Sequence, residues 1–198
     1  MSIRDGDAPV LSDPRHIVWQ SLPTLGFEHL TLRQDHGAVF FESVVFDVGP
    51  PSFRAWYEIE TDADWRVRQC LVRLLGEPER MVVLQSDYPG RWTDGAGHPL
   101  PTLDGCIDVD LTATPSTNTL PIRRLALQSG ESADITVAWV QFPDLSVTPS
   151  PQRYTCLERR ADGGTYRFVA VHDGFTADLP VDADGFVLDY GDLWRRIR

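Results

Sequence analysis

Phe53-Arg54-Ala55-Trp56-Tyr57-Glu58-Ile59-Glu60 is the stretch on which the fold class turns. Successive side chains of an extended chain point to opposite faces. Phe53, Ala55, Tyr57 and Ile59 therefore share one side, and Arg54, Trp56, Glu58 and Glu60 the other. The same period of two returns in Ile135-Thr136-Val137-Ala138-Trp139-Val140 and in Tyr166-Arg167-Phe168-Val169-Ala170-Val171. Asp94-Gly95, Asp162-Gly163-Gly164 and Asp184-Gly185 supply hairpin turns between such runs, because Gly and Asp tolerate positive φ. Pro50-Pro51, Pro99 and Pro101 interrupt ladders, since proline has no N–H to donate. Aspartate outnumbers glutamate 21 to 8, which is turn chemistry rather than helix chemistry. The pattern predicts a mainly β chain: a single antiparallel domain over 1–198, with about ten or more short strands. Residues 1–15 are expected to be irregular. A helix is expected at 191–198, and a turn of one near 13–20.

The 198 residues and 22.3 kDa suit one domain. A chain of that length buries roughly 70% of its unfolded surface and needs no disulfide or metal staple. Its 18 cations are all Arg against 29 acids, a net charge of −11. Without lysine there is no Schiff base, no phosphate-loop lysine and no lysine general base. The acid excess also argues against nucleic acid and anionic membrane surfaces as partners, since both reward clustered positive charge. Cys70, Cys106 and Cys156 are widely spaced and form no CxxC, so they read as small buried apolar residues. The opening residues are polar, without the apolar core of a signal peptide, and no apolar run reaches the length of a membrane span. The expectation is a cytoplasmic protein with reduced thiols.

Trp65-Arg66-Val67-Arg68-Gln69-Cys70-Leu71-Val72 breaks the clean alternation. Arg66, Arg68, Cys70 and Val72 share one side, and Trp65, Val67, Gln69 and Leu71 the other. Either the strand crosses from a polar rim into a core, or a rolled sheet has a concave side that is part apolar and part charged.

Chemical motifs are sparse. Asp108-Val109-Asp110-Leu111-Thr112 matches the DxDxT pattern of haloacid-dehalogenase-type phosphotransferases, but it sits among hairpins rather than after an early parallel strand. The two carboxylates, about 6.5 to 7 Å apart along a strand, also suit a glycosidase pair without selecting a geometry. The other readings are a solvated acidic face and a buried acidic row paired with Arg66 and Arg68, or Arg123 and Arg124. The five histidines show no HxH or HExxH spacing, so no metal and no cofactor is expected. Arg91-Trp92 and Arg153-Tyr154 set aromatic rings beside guanidinium groups, as sugar-stacking surfaces do, though hairpin packing uses them too.

The segment Leu103-Asp104-Gly105-Cys106-Ile107-Asp108-Val109-Asp110-Leu111, running on through Thr112-Ala113-Thr114-Pro115-Ser116-Thr117-Asn118-Thr119 to Leu125, resembles the signature stretch of a bacterial glycolipid-binding family. Trp65-Arg66-Val67-Arg68, Trp92 ahead of Asp94-Gly95, Gln152-Arg153-Tyr154, and Val181–Val187 followed by Asp189-Tyr190 extend the likeness from about residue 20 to the end. Ser116 departs from it, standing where a bulky aromatic is expected. The resemblance implies an antiparallel sheet rolled into an incomplete barrel with one or two short helices, similar to lipoprotein-localisation carriers that shelter acyl chains in their concave face. Burying a chain of ten methylenes there would gain about 8 kcal/mol before binding costs. On that picture Arg66, Arg68, Asp108, Asp110, Arg153 and Tyr154 either contact a ligand head group or form an internal ion-pair network, with Asn118 and Arg123 at the mouth. The implied function is non-catalytic binding of an amphiphile, a glycolipid or a fatty-acyl compound. The alternatives are an enzyme acting on a sugar or phosphate ester through Asp108 and Asp110, and a protein-interaction domain using exposed sheet edges.

Overall fold

The computed structural model describes residues 13–76, 78–87 and 90–198. The strands are β1 (Arg15–Ser21), β2 (Gly26–Asp35), β3 (Ala38–Asp47), β4 (Phe53–Thr61), β5 (Val67–Leu74), β6 (Arg80–Asp87), β7 (Arg91–Asp94) and β8 (Val109–Leu111). The helix α1 (Thr119–Leu125) follows, then β9 (Ser132–Val140), β10 (Val147–Arg160), β11 (Gly163–Ala170), β12 (Thr176–Asp182), β13 (Asp189–Tyr190) and β14 (Trp194–Arg196). Short 3-10 turns lie at Pro101–Leu103 and Ser116–Asn118.

The fold is mainly β and forms an incomplete barrel, with the strands divided between two sheets rather than joined in one. A large open sheet of nine strands runs β13-β14-β1-β2-β3-β4-β5-β6-β7, and a five-stranded half-barrel runs β12-β11-β10-β9-β8. β1 to β7 form a meander of antiparallel neighbours, as the short turns dictate. The pair β8–β9 is parallel, a consequence of α1 carrying the chain back between them. The β10–β11 turn requires glycine: a Cβ on Gly163 (φ +148) would stand 2.1 Å from the Val181 carbonyl oxygen.

Alternation holds in β4, where Ala55, Tyr57, Ile59 and Thr61 are buried in turn. The mixed parity of 65–72 has a local cause. Glu60 pairs with Gln69 and Thr61 with Val67, so Arg68 is an extra residue in a β-bulge. The inward side switches there from Val67 to Cys70, Val72 and Leu74.

Two expectations are corrected. Residues 191–198 are not helical: a turn at Gly191, with φ +55, leads into β14. There Trp194 pairs with Ser21 and is buried in the core, which outweighs any local helix preference. Residues 13–20 also form no helical turn. Strand β1 begins at Arg15, and Ile17, Trp19 and Ser21 alternate into the core. The irregular segment expected over 1–15 lies outside the described residues up to 12, with Asp13 and Pro14 outside any strand.

Two apolar clusters share one connector. The inner face of the nine-stranded sheet, with Trp19, Phe41 and Tyr57, packs on Leu103, Val109, Leu111, Leu120, Val140 and Phe186. The half-barrel's inner face, with Tyr154, Cys156, Tyr166 and Phe168, packs on Ile122 and Leu127. The signature stretch thus threads between the sheets, and α1 divides its side chains between two cores.

Candidate functional site

The space expected to shelter acyl chains holds the protein's own side chains along most of its length. Leu103, Leu111, Leu120 and Phe186 fill it on one side, each at most 2% exposed, and Ile122 fills it on the other. The inner face of the half-barrel is covered at one end only. Along β10, Tyr154 and Cys156 lie in the cluster that holds Ile122, whereas Ser150 and Gln152 border a cavity of about 250 Å³. Trp139 of β9, Phe168 and Ala170 of β11, Tyr190, Trp194 and the exposed Phe175 complete its wall, and Asp110 and Asn118 supply polar groups. Phe168, Phe175 and Tyr190 pack mutually, with ring centroids 6.2 to 6.3 Å apart.

Asp110, half-buried on β8, accepts hydrogen bonds from Gln152 Nε2 at 2.7 Å and Thr117 Oγ1 at 3.1 Å. Burial pushes its carboxyl above the ordinary range, and these two bonds pull it back in part. Tyr154 donates to Asn118 Oδ1 at 2.8 Å, and Asn118 donates to the Pro115 carbonyl. Burial and the charge of Asp110 raise the phenol of Tyr190, so it stays protonated and available as a donor. Gln152 is 2% exposed, and its Oε1 is buried with no hydrogen-bond partner. A buried acceptor left in that state costs about 1–3 kcal/mol.

The eight residues expected at the site separate into groups. Asp110 and Asn118 line the aromatic cavity, and Tyr154 stands behind Asn118. Asp108, 0% exposed, takes the fork of Arg124 through Nε at 3.0 and 3.2 Å and Nη2 at 2.6 Å. Burial raises this carboxyl, and Arg124 opposes the rise. Arg124 rather than Arg66, Arg68 or Arg123 is the bidentate partner, and Asp108 and Asp110 do not open together on one space. Arg66, Arg68 and Arg123 line a separate cavity. Arg153 lies on the outer side of β10 in an exposed pair with Asp134, at 2.6 and 2.7 Å.

Gln152 escaped sequence reasoning although its neighbours Arg153 and Tyr154 did not. Strand parity was the available signal, because it puts Gln152 with Tyr154 on the inner face. Also unforeseen was a polar knot about Glu28, which is 0% exposed. Ser43 donates to Glu28 Oε1 at 3.0 Å, and Tyr57 donates to the same oxygen. Thr114 bonds Oε2, and Ser116 Oγ lies 2.6 Å from the Tyr57 hydroxyl. Ser116 is fully buried, with its hydroxyl against that of Tyr57. The sequence signal was an acid in phase with Leu30 and Leu32 on an otherwise apolar strand face.

Among the described residues no group of three or more His, Cys, Asp or Glu could hold a metal ion. No helix among them is long and apolar enough to cross a membrane.

A comparison with curated proteins gave no match. Among solved structures the chain is similar to a DUF1089 family protein from Pseudomonas aeruginosa, at 34% identity and a TM-score of 0.76, covering 90% of this chain and 95% of that one. The model of the family described as "Putative glycolipid-binding" matches residues 16–196, which include both sheets and the threaded connector. The chain belongs to that family.

Proposed function

We propose that the protein is a non-catalytic binder of an amphiphile, a glycolipid or a fatty-acyl compound, and that it takes the polar head group in the Asp110–Gln152 cavity on the concave face of the half-barrel. The observation that carries this reading is the unpartnered Oε1 of Gln152 beside a carboxylate in an aromatic-walled space. A ligand hydroxyl donating to Oε1 would remove the cost of the orphaned acceptor, and the Trp139 and Tyr190 rings offer faces for the C–H side of a sugar. The volume of about 250 Å³ is below the ~300–1,000 Å³ of ordinary small-molecule pockets. That size suits one sugar ring, with the tail leaving past the exposed Phe175 and Leu193 at the rim. Family membership supports a binding role. The free, buried thiols of Cys70, Cys106 and Cys156 fit a cytoplasmic location.

Titration with octyl glucoside below its micelle concentration, and separately with decanoate, tests the reading through tryptophan fluorescence. Saturable binding is expected to be lost in Gln152→Met, which keeps the length of the side chain but removes both the acceptor and the Nε2 donor to Asp110. Absence of saturable binding by either amphiphile, or binding unchanged in Gln152→Met, would overturn it.

A further inference from the structure

In a chain of net charge −11, four arginines meet at one cavity. It measures about 570 Å³, lies between the β4–β5 turn and α1, and shares no lining residue with the aromatic cavity. Carboxylates hold three of the four in place. Arg124 is fixed by buried Asp108, Arg66 bonds Asp64 at 2.6 Å, and Arg68 bonds Asp62 at 2.8 Å. Arg123 is different. Among the described residues no carboxylate pairs with it, and its guanidinium lies 4.9 Å from the centroid of the Trp65 ring.

Trp65 is itself set for that contact. Its backbone is in the left-handed region, φ +63, which is uncommon and strained for a bulky residue. Its other contact is with Phe41 of the core, edge-on at 6.3 Å. The ring, set between Phe41 and Arg123, anchors the exposed guanidinium beside the cavity. Arg66 and Arg68, on either side of the inward Val67, both border this rim.

We infer that this cavity is an anion site for a phosphoryl group, carried by a small soluble ester or by a lipid head group. Arg123 is the main donor and offers its open fork, and Arg66, Arg68 and Arg124 flank it with positive charge and the N–H groups their carboxylate partners leave over. Planar guanidinium forks match phosphate oxygens in pairs, and donors already held in position lose little freedom on binding. Asp64 and Asp87 also line the space and set its limit. One phosphoryl group is tolerated, whereas a polyphosphate would meet them.

The test measures binding of inorganic phosphate and of phenyl phosphate by calorimetry on the full chain. Cosedimentation with phosphatidylcholine vesicles, with and without phosphatidic acid, is run in parallel. Arg123→Gln is expected to weaken phosphoryl binding by about tenfold or more, while Arg153→Gln on the outer side of β10 leaves it unchanged. Arg123 is exposed, so its variant is expected to keep the circular dichroism and thermal midpoint of the parent. Arg123-dependent binding of the soluble esters identifies a free phosphate ester as the source. Arg123-dependent binding restricted to vesicles containing phosphatidic acid identifies a lipid head group. No saturable binding in any arm, or an equal loss in Arg153→Gln, overturns the proposal.

Discussion

Glu28→Gln is expected to flatten the dependence of stability on pH between about 4.5 and 7. Burial drives the Glu28 carboxyl from 4.5 up to about 7, against bonds from Thr114, Tyr57, Ser43 and Ser116 that pull it down. In the unfolded chain the group ionises near 4.5, whereas in the fold it keeps its proton until about 7. Its stabilising contribution is therefore complete below about 4.5. Stability falls as the pH rises through that window and levels off above 7. At about 1.4 kcal/mol per pH unit, the loss over the window is about 3 kcal/mol. Glutamine keeps the shape without the charge. Its amide can donate to Thr114 Oγ1, which in turn donates to Ser116 Oγ at 2.9 Å, and its carbonyl can accept from Tyr57 and Ser43. Urea unfolding followed by tryptophan fluorescence, at several values from about pH 4 to pH 8, measures both proteins. Subtracting one from the other cancels the titration of the remaining acids. Near equality is expected at pH 4, with the variant more stable by about 3 kcal/mol at pH 8. Parallel curves, or a constant deficit in the variant at every pH, would refute the reasoning.

Arg124→Met leaves the fully buried Asp108 without its partner and is expected to cost about 3 kcal/mol or more by urea midpoint; Asp108→Asn in the same chain should recover part of that loss. Phe186→Ala removes a 0% exposed ring that meets Phe41 at 5.9 Å and Trp19 at 6.5 Å, and should cost about 3–5 kcal/mol in the same assay. Arg153→Gln breaks an exposed pair, and its urea midpoint should stay with the parent's.

Much of the sheet structure was legible because burial on one face imposes a period of two. Phe53–Glu60 and Tyr166–Ala170 are strands for that reason. The segment at 65–72 obscured its own parity because the bulge at Arg68 interrupts the period, and a bulge is set by the partner strand rather than by local residue types. Residues 191–198 misled for a similar reason. Trp194 and Arg196 are in a strand because β1 offers them a ladder, and β1 is more than 170 positions away in the chain. At the site, the buried Asp108–arginine pair was foreseen as a type of contact, but the choice of Arg124 depends on how α1 folds back along β8. Asp110 was read as a head-group contact or part of an ion-pair network and Asn118 as a residue of the mouth, and both border the aromatic cavity. Gln152, which completes it, was within reach of strand parity, since it shares a face with Tyr154.

The two apolar clusters meet across a seven-residue helix: Leu120 and Ile122, on opposite faces of one turn, belong to one cluster each. Asn118, at the entrance to that helix, borders the aromatic cavity. Amide protons in β3 and β4 should therefore exchange with solvent more slowly once the cavity is occupied, although neither strand touches it. On this expectation, ordering the helix entrance suppresses the opening motions that expose either half.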